Sequence, residues 1–251
     1  MNDQLPIFVF NGWAAESAIW AGTTFRRERI FDYVEQMDGI PEKSLAGVDE
    51  FVLVGFSMGS TTALRMLLRF PEKVRGLVLV SATPRMMADD GWPGFSERRL
   101  SAFLAGTEMV FADNPSPMYR RDNLERGLDC LRSTDLRQDL EHSFGGRIDA
   151  TAFPVEVLQS ERDGIVRPHN AQYFKAIFPQ AEVTMIPGND HNLPVCASAL
   201  IDRSVFRVVN AVLRRTGLLD LPVDSVSKGG NFLLNVSPTG RTSNCRSLKS
   251  S

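Results

Sequence analysis

The run Phe51-Val-Leu-Val54 leads directly into Gly55-Phe-Ser-Met-Gly59. Residues Thr61–Phe70 follow, with apolar side chains at 63, 64, 66, 67 and 68, and Pro71 closes the segment. An unbroken apolar run of this length suits a strand buried on both faces. The stretch after it has helical density and ends at a residue that cannot continue a helix. A buried strand that turns within a few residues into a buried helix points to a mainly parallel sheet with helices on both sides.

The rest of the chain keeps that alternation. Strands are expected at Pro6–Phe10, Arg29–Tyr33, Glu50–Val54, Gly76–Val80, Pro154–Gln159 and Glu182–Ile186, with Arg29–Tyr33 the least apolar of them. Leu200, Ile201, Val205, Val208, Val209, Val212 and Leu213 recur at helical spacing before Gly217, a suitable C-cap. Two stretches break the pattern. Ser81–Asp135 offers no strand and is rich in Arg, Met and Pro; it is expected to be a helical cap over the sheet edge. From Leu218 the composition turns to Ser, Gly, Lys and Asn, as in a partly disordered tail. The expected division is an α/β core at 1–80 and 136–217, a small helical cap insertion at 81–135, and a tail at 218–251.

Bulk properties narrow the function classes. A net charge of -2 across 251 residues gives no global attraction to nucleic acid or to an anionic membrane. No apolar run reaches the roughly 18 residues of a transmembrane helix. Met1-Asn2-Asp3-Gln4 has no basic stretch of the kind that opens a signal peptide. Cys130, Cys196 and Cys245 are odd in number and irregular in spacing, matching neither a disulfide framework nor a zinc site. These features lead us to expect a cytoplasmic protein with no metal and no cofactor.

The strand–turn–helix around Ser57 is the context in which Gly-x-Ser-x-Gly carries chemistry. A nucleophile elbow places its serine on a sharp turn, and Gly55 and Gly59 remove Cβ atoms that would clash there. The bland alternative is a helix N-cap serine between turn glycines. A serine hydroxyl needs a base, and the chain has only His142, His169 and His191. His191, in Pro187-Gly-Asn-Asp-His191, lies just past a strand and so on the carboxyl edge of the sheet with Ser57, where sites of open parallel sheets collect. His142 and His169 are read as surface residues. Asp163, after the strand Pro154–Gln159, is the carboxylate expected to orient His191. Glu161 is the second choice, and Asp190 points elsewhere if its loop is extended. The backbone N–H groups of Met58 and Trp13 are candidate donors to a developing oxyanion, with Gly12 allowing the loop to approach closely.

With these residues in place, the chain from Phe8 to about Arg214 resembles the α/β-hydrolase carboxylesterase family of biotin synthesis. The resemblance rests on Asn11-Gly-Trp13 with Trp20, Gly55-Phe-Ser-Met-Gly59, Trp92-Pro-Gly94, Leu131-Arg-Ser-Thr-Asp-Leu-Arg-Gln138, Asp163-Gly-Ile-Val and Asp190-His191. It implies a triad of Ser57, Asp163 and His191, oxyanion donors at Trp13 and Met58, and hydrolysis of a small acyl ester. In that family the substrate is the methyl ester of pimeloyl-acyl carrier protein, and basic cap residues receive the carrier. Arg120, Arg121, Arg126 and Arg132 are the corresponding candidates here. Three departures stand out: Asn11 replaces the family's usual histidine, Trp20–Phe51 is shortened, and the cap is small. An acyl-thioesterase, a cofactor-free lyase and a non-catalytic ligand-binding module on the same fold remain alternatives. In the tail, Val226–Thr239 is similar to a stretch of family 29 α-L-fucosidases without a nucleophile that could be placed.

Overall fold

The computed structural model describes residues 5–24, 30–105, 125–188 and 190–215. Six strands form one parallel sheet: β1 (Ile7–Phe10), β2 (Ile30–Phe31), β3 (Phe51–Phe56), β4 (Val74–Val80), β5 (Val155–Ser160) and β6 (Glu182–Ile186), in the order β2-β1-β3-β4-β5-β6. From β1 the chain steps outward to β2 and then returns to the other side of β1 to lay down β3. The connection leaving β1 runs toward β2 and the one leaving β3 runs toward β4, so the two diverge and open a crevice at the carboxyl ends of β1 and β3.

Strand geometry sorts the core into two layers, because successive side chains point to opposite faces. Phe51 and Leu53 of β3 and Leu77 and Leu79 of β4 face one layer, where α3 (Gly59–Arg69) contributes Ala63, Leu64 and Leu67. Val52, Val54, Val78 and Val80 face the other, where α9 (Ser198–Arg215) contributes Ile201, Val205, Val208 and Val209. Every residue of β3 is buried, as an unbroken apolar run requires. Each fully buried Leu, Val or Phe in these layers contributes about 1.5–3 kcal/mol from removal of apolar surface from water.

The elements depart from expectation chiefly at their ends. Strand β3 continues two residues beyond Val54, and α3 starts at Gly59, two residues before Thr61. Among the described residues the second strand covers Ile30–Phe31 and stops short of Tyr33. Asp32 ends it by accepting the Glu35 N–H, while Glu35 accepts the Asp32 N–H; this reciprocal cap starts α1 (Tyr33–Met37). Helix α2 (Ile40–Ala46) completes the connection to β3.

Between β4 and β5 the described residues carry α4 (Glu97–Leu104), α5 (Leu128–Ser133) and α6 (Arg137–Phe144), with strand-like contacts limited to isolated bridges such as Met87 with Phe95. Helix α7 (His169–Ile177) joins β5 to β6, and α8 (Leu193–Cys196) precedes α9. A third apolar cluster lies where these cap elements meet the loops at the sheet edge. It gathers Trp13, Ala14, Tyr33 and Met58 with Met86, Met87, Phe95, Leu100, Leu131, Ile165 and Val166. Arg99 of α4 stacks on Phe95 and donates to the Gly164 carbonyl at 2.5 Å, tying the cap to the loop after β5. Arg120, Arg121 and the tail at 218–251 with its fucosidase-like stretch lie outside the described residues. No described helix is long and apolar enough to cross a membrane.

Candidate active site

Ser57 stands on the turn between β3 and α3 with φ of 52°, a left-handed conformation that a non-glycine residue adopts only when its surroundings impose it. The imposition is visible. Its N–H donates to the Val80 carbonyl at 2.9 Å, and its carbonyl accepts the Ser60 N–H at 3.0 Å. Two glycines let the turn close. A Cβ on Gly59 would come within 2.2 Å of the Phe10 carbonyl oxygen, and one on Gly55 within 2.6 Å of the Ser60 Cα. Any larger residue at either place would push the β1 loop or α3 away from the serine.

Ser57, Asp163 and His191 meet at the carboxyl edge of the sheet. Ser57 Oγ lies 2.8 Å from His191 Nε2, and Asp163 Oδ2 lies 2.8 Å from His191 Nδ1. All three are buried, with residue exposures of 5%, 1% and 6% for Ser57, Asp163 and His191. The carboxylate is held on both oxygens. Oδ1 accepts the Ile165 and Val166 N–H groups at 2.8 and 3.0 Å, and Oδ2 accepts the Gln159 side-chain amide at 3.3 Å as well as the imidazole. A carboxylate so placed leaves Nδ1 as the protonated ring nitrogen and frees Nε2 to accept from the serine hydroxyl. The Phe56 ring packs against the imidazole at 5.3 Å between centroids.

The other carboxylates near this loop point away. Glu161 is exposed, and Asp190 turns its Oδ1 to the Asn192 N–H at 2.7 Å while its carbonyl accepts the Ser160 hydroxyl. His142 is exposed, as expected. His169 is not a surface residue. Its ring meets Trp92 edge-on at 4.6 Å, both of its nitrogens are buried, and burial pushes its pKa down, with Arg167 adding to the effect. The tryptophan of Trp92-Pro-Gly94 draws it under the cap, a contact between segments far apart in sequence.

The loop after β1 runs beside Ser57, and the start of α3 follows it directly. Gly12 packs so closely on the elbow that a Cβ there would lie 3.1 Å from both the Phe56 ring and Ser57 Cβ. The N–H groups of Trp13 and Met58 have no acceptor among the described residues. Met58 sits at the N-terminal end of α3, where helix N–H groups carry partial positive charge. Such donors, already oriented and unspent, are what a developing oxyanion needs.

Three further residues support the site, of which only Asn11 was singled out from sequence. Asn11 is fully buried and organises the oxyanion-side loop. Its N–H donates to the Phe31 carbonyl, its Oδ1 accepts the Trp20 indole, and its carbonyl accepts the Gln36 amide at 2.9 Å. Its side chain both accepts, from Trp20, and donates, to the Ala15 carbonyl at 3.4 Å. Gln159 braces Asp163. Ser81, at φ 44° beyond β4, donates through Oγ to the His191 carbonyl at 3.3 Å. Of the candidate carrier-binding arginines, Arg126 is exposed, and Arg132 is bonded to Glu97 at 3.1 Å. Among the described residues no three His, Cys, Asp or Glu side chains cluster in a way that could hold a metal ion.

Comparison with known proteins agrees with this architecture. A family model described as alpha/beta hydrolase fold matches residues 6–128. Pimeloyl-[acyl-carrier protein] methyl ester esterase from Yersinia enterocolitica is 29% identical over 228 residues, spanning 74% of this chain and 85% of that protein. The protein of the same name from Nitrosospira multiformis is 24% identical, spanning 76% and 89%. Among solved structures, an esterase from Exiguobacterium antarcticum superposes with a TM-score of 0.64 at 16% identity, covering 84% of this chain and 93% of its own. An enol-lactonase from Burkholderia xenovorans superposes with a TM-score of 0.57 at 13% identity, covering 82% and 92%. The chain has the α/β-hydrolase fold, with Ser57, Asp163 and His191 brought together at the carboxyl edge of its sheet.

Proposed function

We propose that this chain is a carboxylic ester hydrolase that acts through an acyl-enzyme on Ser57. The observation that carries the reading is the continuous relay from Ser57 Oγ through His191 to Asp163, at 2.8 Å for each link, beside two unspent backbone N–H groups. His191 Nε2 takes the serine proton as Oγ attacks the ester carbonyl. Negative charge then develops on the carbonyl oxygen, where the Trp13 and Met58 N–H groups receive it. The imidazolium, stabilised by Asp163, returns its proton to the leaving alcohol. Water, deprotonated by the same nitrogen, releases the acid and restores the serine.

The favoured substrate is a short or medium acyl methyl ester. The relatives named for pimeloyl-[acyl-carrier protein] methyl ester support an acyl group presented on acyl carrier protein. On this reading Arg120, Arg121, Arg126 and Arg132 are the candidate contacts for the acidic carrier, and Arg132 exchanges its Glu97 partner for a carrier carboxylate or phosphate.

Hydrolysis of p-nitrophenyl esters of graded chain length, set beside the matching acyl thioesters, tests the reaction class. Esters of two to eight carbons should be turned over and the thioesters poorly. The reverse order would make the chain a thioesterase, and turnover of neither would end the hydrolase reading. Restoration of growth without biotin to a strain lacking the pimeloyl-ester esterase tests the carrier-bound substrate. No restoration by a well-expressed protein would leave a general esterase.

A further inference from the structure

The three tryptophans differ in one respect. The Trp20 indole donates to Asn11 Oδ1, and the Trp92 indole donates to the Arg85 carbonyl at 3.0 Å. The Trp13 indole Nε1 is equally removed from solvent and has no acceptor among the described residues. An unsatisfied buried N–H costs about 1–3 kcal/mol, so a donor left in this state next to a candidate active site needs an explanation. Trp13 is 9% exposed. Its ring sits in the apolar cluster with Met58, Ile165, Val166 and the cap residues Met86, Met87 and Leu100, and packs on Phe103 at 5.6 Å between centroids. That cluster adjoins the residues on either side of the relay, Met58 following Ser57 and Ile165 following Asp163 by two. Its side chains are apolar, as contact with an acyl chain requires, and the indole N–H is a polar point among them.

We propose that the Trp13 indole N–H binds an oxygen on the substrate's acyl chain, selecting acyl groups with a second carbonyl a few carbons from the scissile one over plain alkyl chains. The same residue then meets the substrate twice. Its backbone N–H receives the oxyanion, and its side chain receives the distant carbonyl, which fixes the register of the chain between them. A plain alkyl group bound against this cluster leaves the indole unpaired and gains only apolar contact. This inference rests on the esterase reading for the direction of the chain, and on the orphaned indole for its chemistry.

The test compares p-nitrophenyl hexanoate with its 4-oxo and 5-oxo counterparts on the native protein and on Trp13→Phe, which keeps a ring against Phe103 and removes the donor. The native protein should favour at least one oxo ester over hexanoate in kcat/KM by roughly tenfold, the worth of one neutral hydrogen bond in a buried site. In Trp13→Phe that ratio should fall to about one or below, whatever the change in absolute rate. A native protein with no preference for either oxo ester overturns the proposal without recourse to the variant. A preference that survives intact in a folded Trp13→Phe overturns it equally. Binding of the same three esters to Ser57→Ala and to Ser57→Ala with Trp13→Phe, followed by calorimetry, removes turnover from the question. If the native protein hydrolyses none of the esters yet the binding preference appears and is lost with the indole, the esterase reading fails and the indole contact stands.

Discussion

Ser57→Ala should lower kcat for p-nitrophenyl esters by about 10⁵- to 10⁶-fold, leaving only the rate supplied by binding and oxyanion stabilisation. The substitution removes the atom 2.8 Å from His191 Nε2 and little else. Ser57 makes its structural hydrogen bonds through its backbone, to Val80 and Ser60, so the fold should survive. Thermal unfolding within a few degrees of the native protein, alongside lost turnover, separates loss of the nucleophile from loss of structure. Ester hydrolysis at the native rate in purified Ser57→Ala would remove this serine from the reaction.

Asp163→Asn should lower kcat by about 10³- to 10⁴-fold, for a different reason. The amide is close to the carboxylate in size. But if its oxygen keeps the Ile165 and Val166 N–H bonds, its NH₂ faces His191 Nδ1. The imidazole then accepts at Nδ1, carries its proton on Nε2, and can no longer take one from Ser57. The loss should be concentrated in kcat, with KM changed little, because Asp163 is 1% exposed and lies behind the histidine. A stopped-assay comparison of kcat and KM checks this; a rise in KM with kcat unchanged would mean that Asp163 only shapes the pocket.

How much of this could be read from the chain depends on the range of the interaction. Strand β3 and the helix after Ser57 were legible because their signals are local: one unbroken apolar run, one glycine-flanked turn and one terminating proline. The gathering of Ser57, Asp163 and His191 followed from parallel topology, which puts every strand's carboxyl end on one edge. Element ends were less legible. Asp32 stops β2 by capping a helix, a competition between two local signals that periodicity does not weigh. Contacts bridging distant segments were not legible at all. Asn11 holding Trp20 and Gln36, Ser81 bracing the His191 loop and Trp92 drawing in His169 each join residues whose meeting only the tertiary fold decides. The cap is the extreme case, since its arginines have no periodic pattern to place them, and Arg132 turned out to be engaged by Glu97.

The central claim is that Ser57 becomes covalently acylated during turnover. Treating the native protein with a fluorophosphonate and locating the adduct by peptide mass spectrometry tests it most directly. One adduct per chain is predicted, on the Ser57 peptide, with ester hydrolysis lost in proportion to labelling. Continued full hydrolysis with Ser57 unmodified, or inactivation through an adduct at another residue, would contradict it.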